Sequence, residues 1–230
     1  MVAVVLVPGH LCTAEWLYAP QIEALAGRET VLADTTRDDT IGAMADRLLA
    51  AAPERFVIAG LSMGGMVAME VMARAPDRVL AACLMDTDPT AARKREVEWR
   101  NGLLAQGLPT YVETFVGRFF MHDEEGAAHL GAEIRDRMLD SPEPLARAQA
   151  RALDTRREMA PLIAGFPHPV ELLVGAEDRV CPARLHEPLV DIMPAARLTV
   201  IRDCGHIASL ECASEVNAHL MRLIDEVDPE

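Results

Sequence analysis

The sequence predicts an α/β fold in which a mainly parallel sheet is flanked by helices and interrupted by a long helical insertion. Three observations carry this. Six short runs rich in Val, Ile and Leu recur along the 230 residues, each bounded by turn residues. Their hydrophobicity is continuous rather than alternating, the pattern of strands covered on both faces. Between most of them lie helical patterns, several halted by a proline, as successive βαβ units require.

The first run, Val2–Val7, turns at Pro8-Gly9 and has neither a basic leader nor a cleavage site, so it reads as a strand rather than a signal peptide. A helix over Trp16–Ala26 leads to a strand at Thr30–Ala33. The next helix, Thr40–Ala51, stops before Pro53 and feeds the strand Arg55–Ala59. Met63–Ala75 is helical up to Pro76, and Val79–Met85 is the fourth strand. From Asp88 to Pro161 the rhythm breaks, with no strand pattern. "RKREVEWRNGLLAQGL", "TYVETFVGRFFMHD" and "EPLARAQARALDT" read there as helices punctuated by Gly and Pro. Residues 88–161 are therefore expected to form a lid inserted into a core made of 1–87 and 162–230. The core resumes with a strand at Val170–Val174, a helix at Ala183–Ile192 ending before Pro194, a strand at Leu198–Ile201 and a terminal helix at Ala213–Val227.

Composition narrows the partners. Half the residues are hydrophobic and a quarter charged, which is globular rather than disordered. No apolar run reaches the length of a membrane span. The net charge of −14 repels phosphate backbones and anionic lipid, so neither a nucleic acid nor a membrane is expected as a partner. Five cysteines without a CxxC pair suit a reducing compartment, and the expected address is cytoplasmic.

The stretch "VIAGLSMGGMVAMEV" places Ser62 between a strand and a helix, with Gly60 two residues before and Gly64 two after. A chain reversing that sharply strains its central residue and crowds the positions on either side, which only glycine tolerates. The turn lifts the Ser62 hydroxyl to the carboxyl edge of the sheet, where open α/β sheets place their ligands. A serine needs a base and an orienting acid before it becomes a nucleophile. "LLVGAEDRVCP" offers Asp178 just past one strand, and "VIRDCGHIASLE" offers His206 just past another. Glu177, Asp86 and Asp203 compete for the acid's role. The order Ser62, Asp178, His206 is the one used by G-x-S-x-G hydrolases.

These motifs resemble those of the α/β-hydrolase fold family, in particular its small cap-bearing serine esterases and lactonases. "GLSMGG" resembles the family's nucleophile elbow, "GAEDRVCP" its acid turn and "CGHIASLE" its histidine loop. The resemblance spans almost the whole chain. It implies about six mainly parallel strands with the family's first hairpin absent, and a helical cap over the pocket. It favours Asp178 as the acid. It also implies an oxyanion hole formed by the backbone N–H of Met63 and one from "VPGHLCTAEW", where His10 is first choice and Leu11 second.

Trp99, Tyr111, Phe115, Phe119, Phe120 and Met121 gather aromatic and soft apolar mass in the insertion of a chain with only 4 % aromatics, which suggests an apolar pocket. Leu11, Phe115, Phe119 and Phe120 are its candidate lining. Arg118, Arg156 and Arg157 are candidates for a substrate carboxylate, with surface ion pairs as the alternative. Cys12 reads as a small core filler. His122, Asp123, Glu124, Glu125 and His129 match no familiar metal spacing, and no metal or cofactor is expected. The expected activity is cofactor-independent hydrolysis of a small ester or lactone by a monomer or homodimer. Carbon–carbon bond hydrolysis or lyase chemistry with the same three residues is the alternative, as is a ligand receptor with little turnover.

Overall fold

The computed structural model describes residues 1–119 and 127–228, apart from the side chains of residues 118, 119, 127 and 128. Six strands, β1 (Ala3–Val7), β2 (Thr30–Leu32), β3 (Phe56–Leu61), β4 (Val79–Met85), β5 (Val170–Gly175) and β6 (Ala196–Ile201), form one sheet in the order β2-β1-β3-β4-β5-β6. Every neighbouring pair is parallel. Burial follows this order: β1, β3 and β5 are buried throughout, whereas β2 and β6 at the edges are half-exposed.

Alternate side chains of the inner strands enter two cores, one on each face. Val4, Leu6, Val57, Ala59, Cys83 and Met85 pack with α1 (Ala14–Leu17), α2 (Ala19–Ala24) and the terminal helix. Val5, Val7, Phe56, Ile58, Ala82 and Leu84 pack with α3 (Ile41–Ala51) and α4 (Met63–Arg74). Helix α3 starts where Thr40 Oγ1 accepts the Ala43 N–H at 3.1 Å, satisfying one of the free amides of the first turn.

Between β4 and β5 the chain is helical: α5 (Lys94–Leu104), α6 (Leu108–Phe119), α7 (Ala127–Leu139), α8 (Glu143–Asp154) and α9 (Ala160–Ile163). Helix α7 has no counterpart in the sequence-based expectation. After β5 come a 3₁₀ turn (Ala183–Leu185), α10 (Glu187–Ile192), β6, α11 (Ala208–Glu211) and α12 (Ala213–Val227).

Two expected helices are broken. Trp16–Ala26 divides at Tyr18, and Ala183–Ile192 divides at His186. In each case a proline, Pro20 or Pro188, stands in the first turn of the second piece, where its missing N–H costs nothing and its ring excludes a continuous helix. Among the described residues, no helix is long and apolar enough to cross a membrane.

The winding reverses between β1 and β3, since β2 lies on one side of β1 and all later strands on the other. A crevice opens outside the carboxyl ends of strands at such a point. The segments carrying Ser62, Asp178 and His206 all emerge at that edge, as does the loop after β1.

Candidate active site

Ser62 sits at φ 56° and ψ −119°, a strained backbone for a residue with a side chain. The glycines on either side explain how the turn closes. A Cβ at Gly60 would overlap the backbone of Gly64, and one at Gly64 would overlap the Val7 carbonyl at the end of β1. The second glycine is thus required by the neighbouring strand rather than by Gly60. Gly64→Ala is expected to cost about 3 kcal/mol or more, because a backbone overlap cannot relax by a rotamer change. A urea midpoint equal to that of the parent would show that the elbow yields.

Thr87 Oγ1, just past the end of β4, donates to the Ser62 carbonyl at 2.8 Å and so braces the strained residue. The Thr87 N–H donates in turn to His186 Nε2 at 3.0 Å. Both residues belong to the site's support, and no sequence pattern announced either one.

The three expected residues converge. His206 Nε2 lies 3.0 Å from Ser62 Oγ, and His206 Nδ1 lies 2.9 Å from Asp178 Oδ2. The other Asp178 oxygen accepts the N–H groups of Val180 at 2.7 Å and Cys181 at 2.9 Å. Burial pushes the Asp178 carboxyl up, but the adjacent imidazole and these amides outweigh it and hold it below the ordinary carboxylate value. Asp178 therefore stays ionised beside the histidine.

The competing acids occupy other roles. Asp86 is fully buried; Oδ1 accepts the Gly175 N–H at 2.9 Å and Oδ2 the Ala208 N–H at 3.1 Å, tying the end of β5 to the histidine loop. Burial, together with the charge of Asp178, raises its carboxyl well above the usual range. Glu177 and Asp203 are exposed. Glu211, the last residue of "GHIASLE", accepts the N–H of Gly205 at 3.0 Å and of Ile207 at 2.9 Å, gripping the backbone on both sides of His206.

The loop after β1 is similarly fixed. Gln149 of α8 accepts the Leu11 N–H at 2.8 Å and donates to the Thr35 carbonyl at 3.1 Å. Leu11 is thereby removed from both roles the sequence suggested. Its amide is already used, and its side chain is packed in the core at a left-handed φ of 55°. Among the described residues, the amides of His10 and Met63 have no acceptor. Cys12 is buried, with its thiol pushed up to about 12, a filler and not a nucleophile.

A cavity of about 470 Å³ opens over Ser62. His10, Met66, Trp99, Phe115, Leu153 and Val180 line it, whereas Tyr111 is fully buried beneath. Tyr111 stacks on Phe115, and its hydroxyl lies 2.9 Å from His10 Nε2. Phe120, Met121 and the polar run His122–Glu125 lie outside the described residues, as do the side chains of Arg118 and Phe119. Of the suggested carboxylate-binding arginines, the two with described side chains are engaged elsewhere: Arg156 bonds Glu96 and Asp88, and Arg157 bonds Glu70. Among the described residues, the grouping that could hold a metal is Asp178, Cys181 and His206, with ligand atoms within 4.8 Å. Burial and Asp178 raise the Cys181 thiol well above its ordinary value, so it remains protonated beside the other two.

Burial keeps two further imidazoles neutral, with His10 lowered to about 3 and His186 to about 4. An unfolded chain protonates a histidine near pH 6.5. Each therefore contributes stability present above about pH 6.5 that is lost as pH falls toward the folded value, while Asp86, shifted upward, works in the opposite sense. His186→Gln, whose amide oxygen can still accept the Thr87 N–H, is expected to flatten the fall in stability between pH 6 and 4.5 by about 1.4 kcal/mol per unit. Urea unfolding across that range measures it, and an unchanged slope would contradict the neutral buried state.

A parallel sheet that presents a strained serine to a histidine aligned by an ionised aspartate defines a serine hydrolase. Residues 4–219 match the family model described as "Alpha/beta hydrolase family", and the chain belongs to that family. It is 28% identical over 187 residues to a pimeloyl-acyl-carrier-protein methyl ester esterase of Aromatoleum aromaticum, covering 74% of each chain. Its fold matches a malate-bound thermophilic esterase from Thermogutta terrifontis with a TM-score of 0.89 at 23% identity, covering 99% of this chain and 90% of that one. An enol-lactonase from Burkholderia xenovorans matches with a TM-score of 0.86 at 21% identity, covering 97% and 91%.

Proposed function

We propose that the protein hydrolyses a small carboxylic ester or lactone through an acyl-enzyme on Ser62. The observation that carries this reading is the unbroken hydrogen-bond chain from Ser62 Oγ through His206 to Asp178. His206 Nε2 takes the hydroxyl proton as Oγ attacks the carbonyl carbon, and Asp178 balances the resulting imidazolium. The carbonyl oxygen, now negative, sits between the amides of Met63 and His10, neither of which has another acceptor among the described residues. The proton passes from His206 to the leaving oxygen as the alcohol departs. Water, deprotonated by the same imidazole, then attacks the acyl-enzyme and releases the acid and Ser62.

Residues 88–161 act as the cap that roofs the cavity, and 1–87 with 162–230 as the catalytic core. In support, α5, α6 and α8 contribute Trp99, Phe115 and Leu153 to the cavity wall. All five cysteines are free, which suits a cytoplasmic setting. The test is labelling with a fluorophosphonate, intact-mass measurement and mapping of the modified residue, followed by a panel of p-nitrophenyl esters and lactones. One adduct on Ser62 with ester turnover is expected. A folded protein that takes no label there would end the proposal.

A further inference from the structure

We infer that the active-site cavity selects an ester carrying a second, free carboxylate at its far end, held at the cavity mouth by Arg95, Arg179 and Arg184. This rests on the ester-hydrolase reading of the same site. Six arginines line the cavity, the others being Arg93, Arg100 and Arg156. Those three are neutralised in place. Arg93 bonds Asp88 at 3.0 Å, Arg100 bonds Glu96 at 2.6 Å and also Asp154, and Arg156 reaches Glu96 at 2.9 Å and Asp88 at 3.2 Å. Three guanidinium groups thus meet three carboxylates. Among the described residues, no hydrogen-bond acceptor or acidic partner engages Arg95, Arg179 or Arg184, and all three are exposed.

On this chain that is an unusual distribution. Acidic residues outnumber basic ones 36 to 22, so a guanidinium readily finds a partner. Among the described residues only Arg55 and Arg202 share the lack of one, and neither lines the cavity. The unpaired positive charge is therefore gathered at the opening above Ser62, on a molecule whose surface otherwise repels anions. A cleft of one sign between low-dielectric walls concentrates ligands of the other sign.

The three arginines approach from both sides. Arg95 stands on α5 of the insertion, whereas Arg179 directly follows Asp178 and Arg184 lies in the 3₁₀ turn after β5. Met66, Phe115, Leu153 and Val180 make other parts of the wall apolar. The occupant this lining fits has an ester near Ser62, an apolar link and a terminal carboxylate, whose planar pair of oxygens matches the guanidinium fork. A half-ester of a dicarboxylic acid has that form.

The experiment compares two p-nitrophenyl esters of equal length, one ending in a carboxylate and the other in a carboxamide. It uses the whole protein and the triple variant Arg95→Gln/Arg179→Gln/Arg184→Gln. The expected ratio of kcat/KM, carboxylate over carboxamide, is about ten or more in the parent at low salt. It falls toward one in the variant, and also in 0.5 M NaCl. A parent ratio of one or less, or a ratio the variant leaves unchanged, would overturn the inference. So would arginine dependence seen only when the ester is carried on an acidic protein. A second readout does not need ester turnover: free adipate should slow fluorophosphonate labelling of Ser62 in the parent but not in the variant. Protection without hydrolysis of either ester would keep the subsite and remove the esterase reading, whereas labelling that adipate never slows would do the reverse.

Discussion

Ser62→Ala is expected to lower kcat for an activated ester by on the order of a millionfold, leaving the fold in place. The hydroxyl's hydrogen bond is the one to His206 Nε2, so its loss leaves the ring still held by Asp178 through Nδ1. Circular dichroism and the urea midpoint should match the parent closely. Ser62→Gly sharpens the test. It abolishes turnover equally, but glycine adopts φ 56° without strain, so this variant should be more stable than the alanine one by about 1 kcal/mol. Lost activity with gained stability is the signature of strain kept for function. Undiminished ester turnover in either variant would assign the chemistry to another group.

Asp178→Asn should reduce kcat about ten-thousandfold, for a reason the geometry supplies. Asp178 Oδ1 accepts two N–H groups, from Val180 and Cys181, so the amide oxygen of an asparagine must take that position. Its NH₂ group then faces His206 Nδ1 and forces that nitrogen to become an acceptor. The remaining ring proton moves to Nε2, which can no longer receive one from Ser62. Asp86→Asn is the control. Both Asp86 oxygens accept backbone N–H groups, so the amide loosens the histidine loop without inverting the tautomer, and the rate should fall far less. The reverse ranking of the two variants would make Asp86 the orienting acid.

Much of this was legible in the sequence. Glycines two before and two after Ser62 announced a sharp strand-to-helix turn, because a turn is decided by residues adjacent in the chain. Strand locations followed from continuous apolar runs, and the ends of β5 and β6 placed Asp178 and His206 at the correct edge. Errors fell where local patterns compete. Apolar periodicity runs through Tyr18 and His186, so the expected helices span Pro20 and Pro188, each of which stands in the first turn of a separate second piece. Helix α7 went unassigned because its polar sequence carries a weak apolar stripe.

By itself the sequence determined the sheet, the nucleophile's turn and the small set of acids and histidines available at one edge. Only the tertiary structure decided among them. Asp178 meets a histidine 28 positions away, Ser62 meets the same ring across 144, and Gln149 takes the Leu11 amide across 138. The charge balance around the cavity, which leaves Arg95, Arg179 and Arg184 unpaired, is also a sum over distant segments. Hydrogen bonds and ion pairs act over a few ångströms of space whatever the separation along the chain, so their partners become known only once the chain is folded.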